Sequence, residues 1–161
     1  MGFYQLIREQ QINASIEDVW NFIASPGNLK QITPGYMGFE ITSSEVAEKM
    51  YPGMIICYRV SPFKGIRMKW VTEITHVKDN HFFVDEQRIG PYSLWHHQHI
   101  LEENESGVLM KDIVSYRLPF GFIGSLAHHL FVKKQLREIF DFRVLAVERI
   151  FHTDQVLRPP S

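Results

Sequence analysis

Residues 94–118 read LWHHQHILEENESGVLMKDIVSYRL, and the period of this stretch decides the fold. Apolar and polar residues alternate on both sides of a turn at Asn104 to Gly107. Alternation places Trp95, His97, His99 and Leu101 on one face of the first strand. In the second, Met110, Asp112, Val114, Tyr116 and Leu118 share a face. The opposite faces carry His96, Gln98 and Glu102, or Lys111, Ser115 and Arg117, and read as solvated. A turn of this length sets Leu101 opposite Met110, His99 opposite Asp112 and Trp95 opposite Tyr116. A slip of two residues brings His97 to Asp112 instead, and a slip of one scrambles the faces. Either allowed register sets a histidine beside an aspartate on a mostly apolar face.

The same period reaches back to Tyr36. Candidate strands are 37–44, 53–60, 67–77, 81–89, 92–102 and 107–118. Turn chemistry separates them at Pro52-Gly53, Lys78-Asp79-Asn80 and Gly90-Pro91. Short connections predict an antiparallel meander. After Leu118-Pro119-Phe120-Gly121 the period turns helical and stays so to about Phe151. Val132, Leu136, Ile139, Phe140, Val147 and Ile150 fall on one face, with Lys134, Arg137, Glu138, Asp141, Glu148 and Arg149 opposite. At the other end, the first ten or so residues alternate loosely and read as a strand. Ser15 then opens S-I-E-D, a capping-box-like start with Asp18 in the Glu position. Val19, Trp20, Phe22 and Ile23 give a short helix closed by Ser25-Pro26-Gly27. A second helical turn, Asn28 to Ile32, is stopped by Thr33-Pro34-Gly35. The order predicts an α+β fold: a curved seven-stranded antiparallel sheet around a long C-terminal helix, with two short helices after the first strand. Residues 1–152 read as a single domain, and TDQVLRPPS (153–161) as a flexible tail.

The chain has 161 residues, within the ~100–200 of one domain. Hydrophobic residues at 45% and charged ones at 22% are ordinary globular usage, which argues against disorder. The single cysteine, Cys57, excludes an internal disulfide or a Cys-rich zinc site and fits a reducing compartment. With 17 basic against 18 acidic residues there is no electrostatic footprint for nucleic acid. MGFYQLIREQ lacks a basic region followed by an apolar run, and Leu6 stands where myristoylation wants Ser or Thr. No apolar run approaches the ~18 residues of a membrane span. These features predict a cytoplasmic protein without stable membrane association, a monomer or weak homodimer.

The order of elements resembles the helix-grip fold of the START and polyketide-cyclase superfamily, SRPBCC. INASIEDVWNFIASPGNLKQITP (12–34) is similar to the superfamily's opening. FFVDEQRIGPYSLWHHQHILEE (82–103), KDIVSYRLPFGFIGSLAHHLFV (111–132) and LREIFDFR (136–143) look like a bacterial ligand-binding subgroup of it. The resemblance implies a deep cavity between sheet and long helix that holds lipids, sterols, polyketides or hormones. Most members only bind; some are cyclases, dehydratases or hydrolases. Fold alone does not choose between these.

A His–Asp pair on an inward face is either a satisfied polar pair that fixes register, or an oriented imidazole acting as general base or ligand-anchoring donor. His97, His99 and Asp112 are thus the catalytic candidates. As metal ligands the three would resemble a two-His-one-carboxylate set. However, neighbours on one strand face are ~6.6 Å apart at their roots, and no further ligand set is evident. No metal or other cofactor is expected, and the lack of a phosphate loop, cofactor fingerprint or nucleophile–base motif favours binding over catalysis.

On the neighbouring strands Met68, Trp70, Thr72, Ile74 and His76 share a face, as do Phe83, Asp85 and Gln87. A short turn at Lys78 to Asn80 sets Ile74 against Phe83, Thr72 against Asp85 and Trp70 against Gln87. Phe82 and Val84 pointing inward is the alternative, and the resemblance favours Asp85 and Gln87 inside. Arg143 occupies a helix-stripe slot otherwise filled by Val, Leu and Ile. A buried guanidinium needs a partner, so Asp85, Asp112 or an acidic ligand should meet it, unless it snorkels to the helix edge. His128-His129 reads as packing or helix surface, Cys57 as a small core residue or cavity wall, and SPFKGIRMKW (61–70) as a cavity lip. The expected ligand-binding set is Trp70, Asp85, Gln87, Trp95, His97, His99, Asp112, Tyr116, Leu136, Phe140 and Arg143. Two functions stand open: binding of a hydrophobic or amphipathic small molecule, or an enzyme of the cyclase, dehydratase or hydrolase type using the His–Asp pair and Arg143. What separates them is whether His97 or His99 reaches open cavity volume.

Overall fold

Ser15 sets the start of the first helix. Its hydroxyl accepts a hydrogen bond from the Asp18 N–H at 3.2 Å, and Ile16–Ile23 follows as α1, burying Ile16, Val19, Trp20 and Ile23. Pro26–Ile32 continues as a 3-10 helix in place of the second helical turn. These elements come from a computed structural model that describes residues 2–63 and 65–157. The strands are β1 (Tyr4–Ile12), β2 (Glu40–Ile41), β3 (Met54–Phe63), β4 (Ile66–Lys78), β5 (Phe82–Ile89), β6 (Leu94–Asn104) and β7 (Gly107–Arg117). They form one seven-stranded antiparallel sheet in the order β1-β7-β6-β5-β4-β3-β2. A helical run follows: α2 (Gly121–Ala127), a π turn at His128–Val132, and α3 (Lys133–Leu157). Among the described residues no helix is long and apolar enough to cross a membrane.

The β6–β7 hairpin has the expected register, with Trp95 opposite Tyr116, His99 opposite Asp112 and Leu101 opposite Met110. Three elements differ from the sequence reading. The strand expected at 37–44 shrinks to Glu40–Ile41, because Gly35–Met37 forms a 3-10 turn that ends on Gly38 at a φ of 55°. In the β4–β5 hairpin, Ile74 lies opposite Asp85 and Thr72 opposite Gln87, two residues off the expected pairing. The turn runs through Asn80, at a φ of 60°, and a bulge between Ile74 and His76 absorbs one more residue. Beyond that bulge Val77 packs on the core while His76, expected on the inward face, is exposed. Finally, α3 runs past Phe151 to Leu157, and residues 158–161 of the expected tail lie outside the described residues.

The interior holds two apolar clusters. One gathers Trp20, Ile23, Ile74, Phe83, Leu101, Met110, Val147 and Phe151; the other gathers Trp70, Tyr92, Trp95, Val114, Tyr116, Leu136 and Phe140. Fully burying each such side chain contributes ~1.5–3 kcal/mol. A row of polar residues runs between them: Thr72 on β4, Asp85 on β5, His97 and His99 on β6, Asp112 on β7 and Arg143 on α3.

The π turn delivers His128 to the interior, where it is 3% exposed and stacks on Tyr4 with ring centroids 3.4 Å apart. The Tyr116 hydroxyl lies 2.9 Å from Nε2. Burial, with His129 and Lys133 nearby, holds the His128 pKa below its usual value. The folded state therefore takes up this proton less readily than the unfolded chain. Its contribution to stability is full above the unfolded pKa of about 6.5 and declines as pH falls below it. Urea melts from about pH 7.5 to about pH 5 should show a steeper acid loss for the native chain than for His128→Gln. Equal slopes would show that His128 does not titrate in this window.

Candidate functional site

Between the concave sheet face and α3 lies a cavity of about 150 Å³. Its apolar wall is largely aromatic: Phe39, Tyr58, Trp70, Phe83, Tyr92, Trp95 and Phe140, joined by Met37, Met50, Leu136 and Ile139. Its polar wall is Thr72, Asp85, His97, His99 and Arg143, with Thr33 apart from them at the end of the Pro26–Ile32 helix. Of the set named from sequence, Trp70, Asp85, Trp95, His97, His99, Leu136, Phe140 and Arg143 line this space. The other three lie elsewhere. Asp112 sits behind the histidines. Tyr116 packs with Tyr92 and Trp95 and meets His128. Gln87 ties the β5–β6 turn, donating from Nε2 to the Tyr92 carbonyl at 2.6 Å and accepting the Tyr92 N–H at 3.2 Å.

Several lining residues escape a sequence reading centred on charge. Tyr58 shares a β3 face with Ile56 and Val60, a period-two signal like that of the other strands. Tyr92, expected to open the strand 92–102, lies in the turn before β6, which begins at Leu94, so no period places it. Pro62, from the expected lip, does line the cavity; Lys64 lies outside the described residues. Cys57 is half-buried, its N–H donating to the Ser43 hydroxyl. His129 is exposed and His128 is the packing residue described above.

The polar wall is one connected network. His97 Nε2 lies 3.0 Å from Asp112 Oδ1, and His97 Nδ1 lies 3.3 Å from Asp85 Oδ2. His99 Nε2 lies 2.7 Å from the same Asp85 oxygen, and His99 Nδ1 lies 3.1 Å from Asp112 Oδ1. Arg143 Nη2 donates to His99 Nδ1 at 3.1 Å, and Nε stands 3.2 Å from Asp112 Oδ2. That last contact is an ion pair by distance, but the Nε–H is not aligned to donate. Arg143 therefore points inward, 8% exposed, and its carboxylate neighbour is Asp112.

Burial would push the His97 pKa down, but carboxylates at both ring nitrogens raise it. His99 is lowered, by burial first and then by the charge of His97. Burial opposes ionisation of Asp85 and Asp112, yet the histidines beside both, and Arg143 beside Asp112, hold each below the usual carboxylate range. These directions favour His97 and Arg143 as the cations facing the Asp85 and Asp112 carboxylates, with His99 the more readily neutral ring. Two positive and two negative charges cancel, which is what allows the network to sit in an apolar interior. Both histidines reach open cavity volume, each ring oriented by a carboxylate. Asp85, His97 and His99 also bring one metal-ligating atom each to within 4.8 Å of one another.

Arg143→Leu leaves Asp112 buried and short of its cation, and stability should fall by ~3–5 kcal/mol. Adding Asp112→Leu to that variant should recover part of the loss, which urea unfolding of the four-member cycle would measure. A single-variant loss below ~1 kcal/mol would show that the ion pair contributes little.

A family model described as polyketide cyclase/dehydrase and lipid transport matches residues 12–143. No curated protein matches the sequence. Among solved structures, protein NE0264 from Nitrosomonas europaea is similar, with a TM-score of 0.68 at 13% identity, over 94% of this chain and 96% of that one. TTHA0849 from Thermus thermophilus has a TM-score of 0.67 at 16% identity, over 94% and 99%. Ara h 8.0201 has a TM-score of 0.60 at 17% identity, over 94% and 99%. At such identities these neighbours speak for the fold alone. The matched segment runs from the last residue of β1 through the sheet to Arg143 on α3, and the chain belongs to the polyketide cyclase/dehydrase and lipid transport family of the SRPBCC superfamily.

Proposed function

We propose that the chain binds one small amphipathic molecule in the cavity between sheet and α3. The observation that carries this reading is the division of the cavity wall. One side is aromatic and aliphatic, and the other is a single polar row of Thr72, Asp85, His97, His99 and Arg143. Few convergent polar groups in an apolar space is the usual chemistry of a small-molecule site. An apolar body would pack against Trp70, Trp95, Leu136 and Phe140, with its polar end turned to Asp85 and the histidines. Trp70 Nε1 is buried without a hydrogen-bond partner, so an acceptor on the ligand would complete it. The volume, about 150 Å³, matches a cavity that accepts a benzene-sized guest. As it stands the space suits a compact compound of one or two rings or the leading end of a longer lipid or polyketide; a sterol would require it to widen.

A second reading has specific support. His97 and His99 both border the cavity with carboxylates orienting their rings, the arrangement a general acid or base requires. In that reading the chain is an enzyme of the cyclase or dehydratase type, and binding is its first step.

Titration with 2-naphthol should change the fluorescence of Trp70 and Trp95 saturably, at one molecule per chain. Leu136→Trp fills the cavity from α3 and should abolish saturable uptake while far-UV circular dichroism stays native. Uptake unchanged in that variant would remove the cavity as the binding site. His97→Gln separates the two readings: under the binding reading, chemical conversion of a bound compound is absent from native chain and variant alike.

A further inference from the structure

We propose that Asp85, His97 and His99 form a site for one divalent transition-metal ion, of the Zn²⁺ or Fe²⁺ class, open to the cavity. This goes beyond ligand binding and stands without it. The carboxylate is Asp85 of β5, not the Asp112 of the sequence reading. The β5–β6 register sets Asp85 directly opposite His97, whereas Asp112 lies on the far side of both rings.

The inner nitrogens of the two rings converge on one atom. His99 Nε2 is 2.7 Å and His97 Nδ1 is 3.3 Å from Asp85 Oδ2, and the ring centroids are only 3.7 Å apart. Metal–ligand bonds of about 2.0–2.2 Å set ligand atoms roughly 3–3.5 Å from one another. A small rotation of the Asp85 carboxylate off the rings therefore makes room for the ion without moving the strands.

The outer nitrogens supply the second observation. His97 Nε2 and His99 Nδ1 lie 3.0 and 3.1 Å from a single oxygen, Asp112 Oδ1. A carboxylate behind a histidine takes the N–H of the outer nitrogen and presents the inner lone pair to a metal. Here one buried carboxylate stands behind two rings, hydrogen-bonded to His97 Nε2 and 3.1 Å from His99 Nδ1, and Arg143 stands against its other oxygen at 3.2 Å. When His99 carries its proton on Nδ1, Arg143 Nη2 must leave that nitrogen, and Asp112 Oδ2 is the acceptor beside it.

The chemistry of the set narrows the ion. Two imidazoles and one carboxylate suit Zn²⁺, Fe²⁺ or Co²⁺, whereas Mg²⁺ and Ca²⁺ take oxygen ligands. Asp85, His97 and His99 all line the cavity, so further coordination positions face it. Asp85 and Asp112 together balance a dication, which leaves the Arg143 charge in excess. An anionic oxygen, from an acidic ligand or hydroxide, fits the remaining position.

The chain should be stripped with EDTA, then titrated with Zn²⁺ by calorimetry and with Co²⁺ by visible absorption. One ion per chain and a Co²⁺ band are expected. His97→Gln, His99→Gln and Asp85→Asn should each abolish the Co²⁺ band, Asp112→Asn should weaken Zn²⁺ binding ~10–100-fold, and His129→Gln should change nothing. Should a variant not fold, proton NMR of the native Co²⁺ protein decides: shifted, exchangeable N–H signals from two imidazoles support the site, and their absence overturns it. Absence of stoichiometric binding, or binding that survives all three ligand variants, overturns it too. Naphthol uptake by the stripped chain is read separately, so the cavity reading and the metal site can fail independently.

Discussion

The fold depends on burying charge at one level of the core. Asp85, His97, His99, Asp112 and Arg143 come from three neighbouring strands and the helix that crosses them, and they meet between two apolar clusters. Each charge taken out of water costs several kcal/mol, and only mutual pairing offsets that cost. Every element carrying a member is therefore held in register. A one-residue slip of β7 would turn Asp112 to the outer face and leave the Arg143 guanidinium without its carboxylate. Well-packed hydrophobic residues at these positions would be as stable or more so. Stability alone thus does not account for the network.

How much of this was legible in the sequence depended on turn length. Strands β6 and β7 alternate cleanly across a tight turn, so a histidine beside Asp112 could be read, with His99 directly opposite or His97 after a two-residue slip. The register sets His99 opposite, and His97 also reaches Asp112. Arg143 was legible as the lone charge in an apolar helical stripe, and it reaches the interior as that pattern implied. The β4–β5 pairing was not, since a bulge has no residue signature and Asn80 lengthens the turn by adopting a left-handed backbone. The error changed partners without changing faces for Thr72, Ile74 and Asp85, because an offset of two preserves the side of the sheet. Past the bulge, where the face does change, His76 and Val77 exchanged places.

What the sequence did not show was the contact of Asp85, expected inside, with the two histidines. Asp85 meets both histidines through the β5–β6 pairing, across the turn that holds Gly90, Pro91 and Tyr92. Nothing in that turn fixes its length from composition. Gln87 settles it by clasping the Tyr92 backbone, which consumes the amide that looked like a ligand contact. Tyr92 thereby comes to pack against Trp95, and both line the cavity.

Cavity and network also constrain each other. A neutral network offers a bound molecule no net charge, so an acidic ligand gains little from Coulomb attraction until a cation is added or a carboxylate is protonated. An uncharged polar end faces the opposite situation. Asp85 has its second oxygen 3.5 Å from the Thr72 hydroxyl, a loose contact that a hydroxyl on the ligand can replace. The aromatic walls are fixed by edge-to-face packing, with Trp70 and Trp95 nearly perpendicular at 5.3 Å, and leave the polar row as the place where the site adapts. The part of the wall that can change is thus the charge state of five side chains, and that state is what a metal ion or a proton would alter.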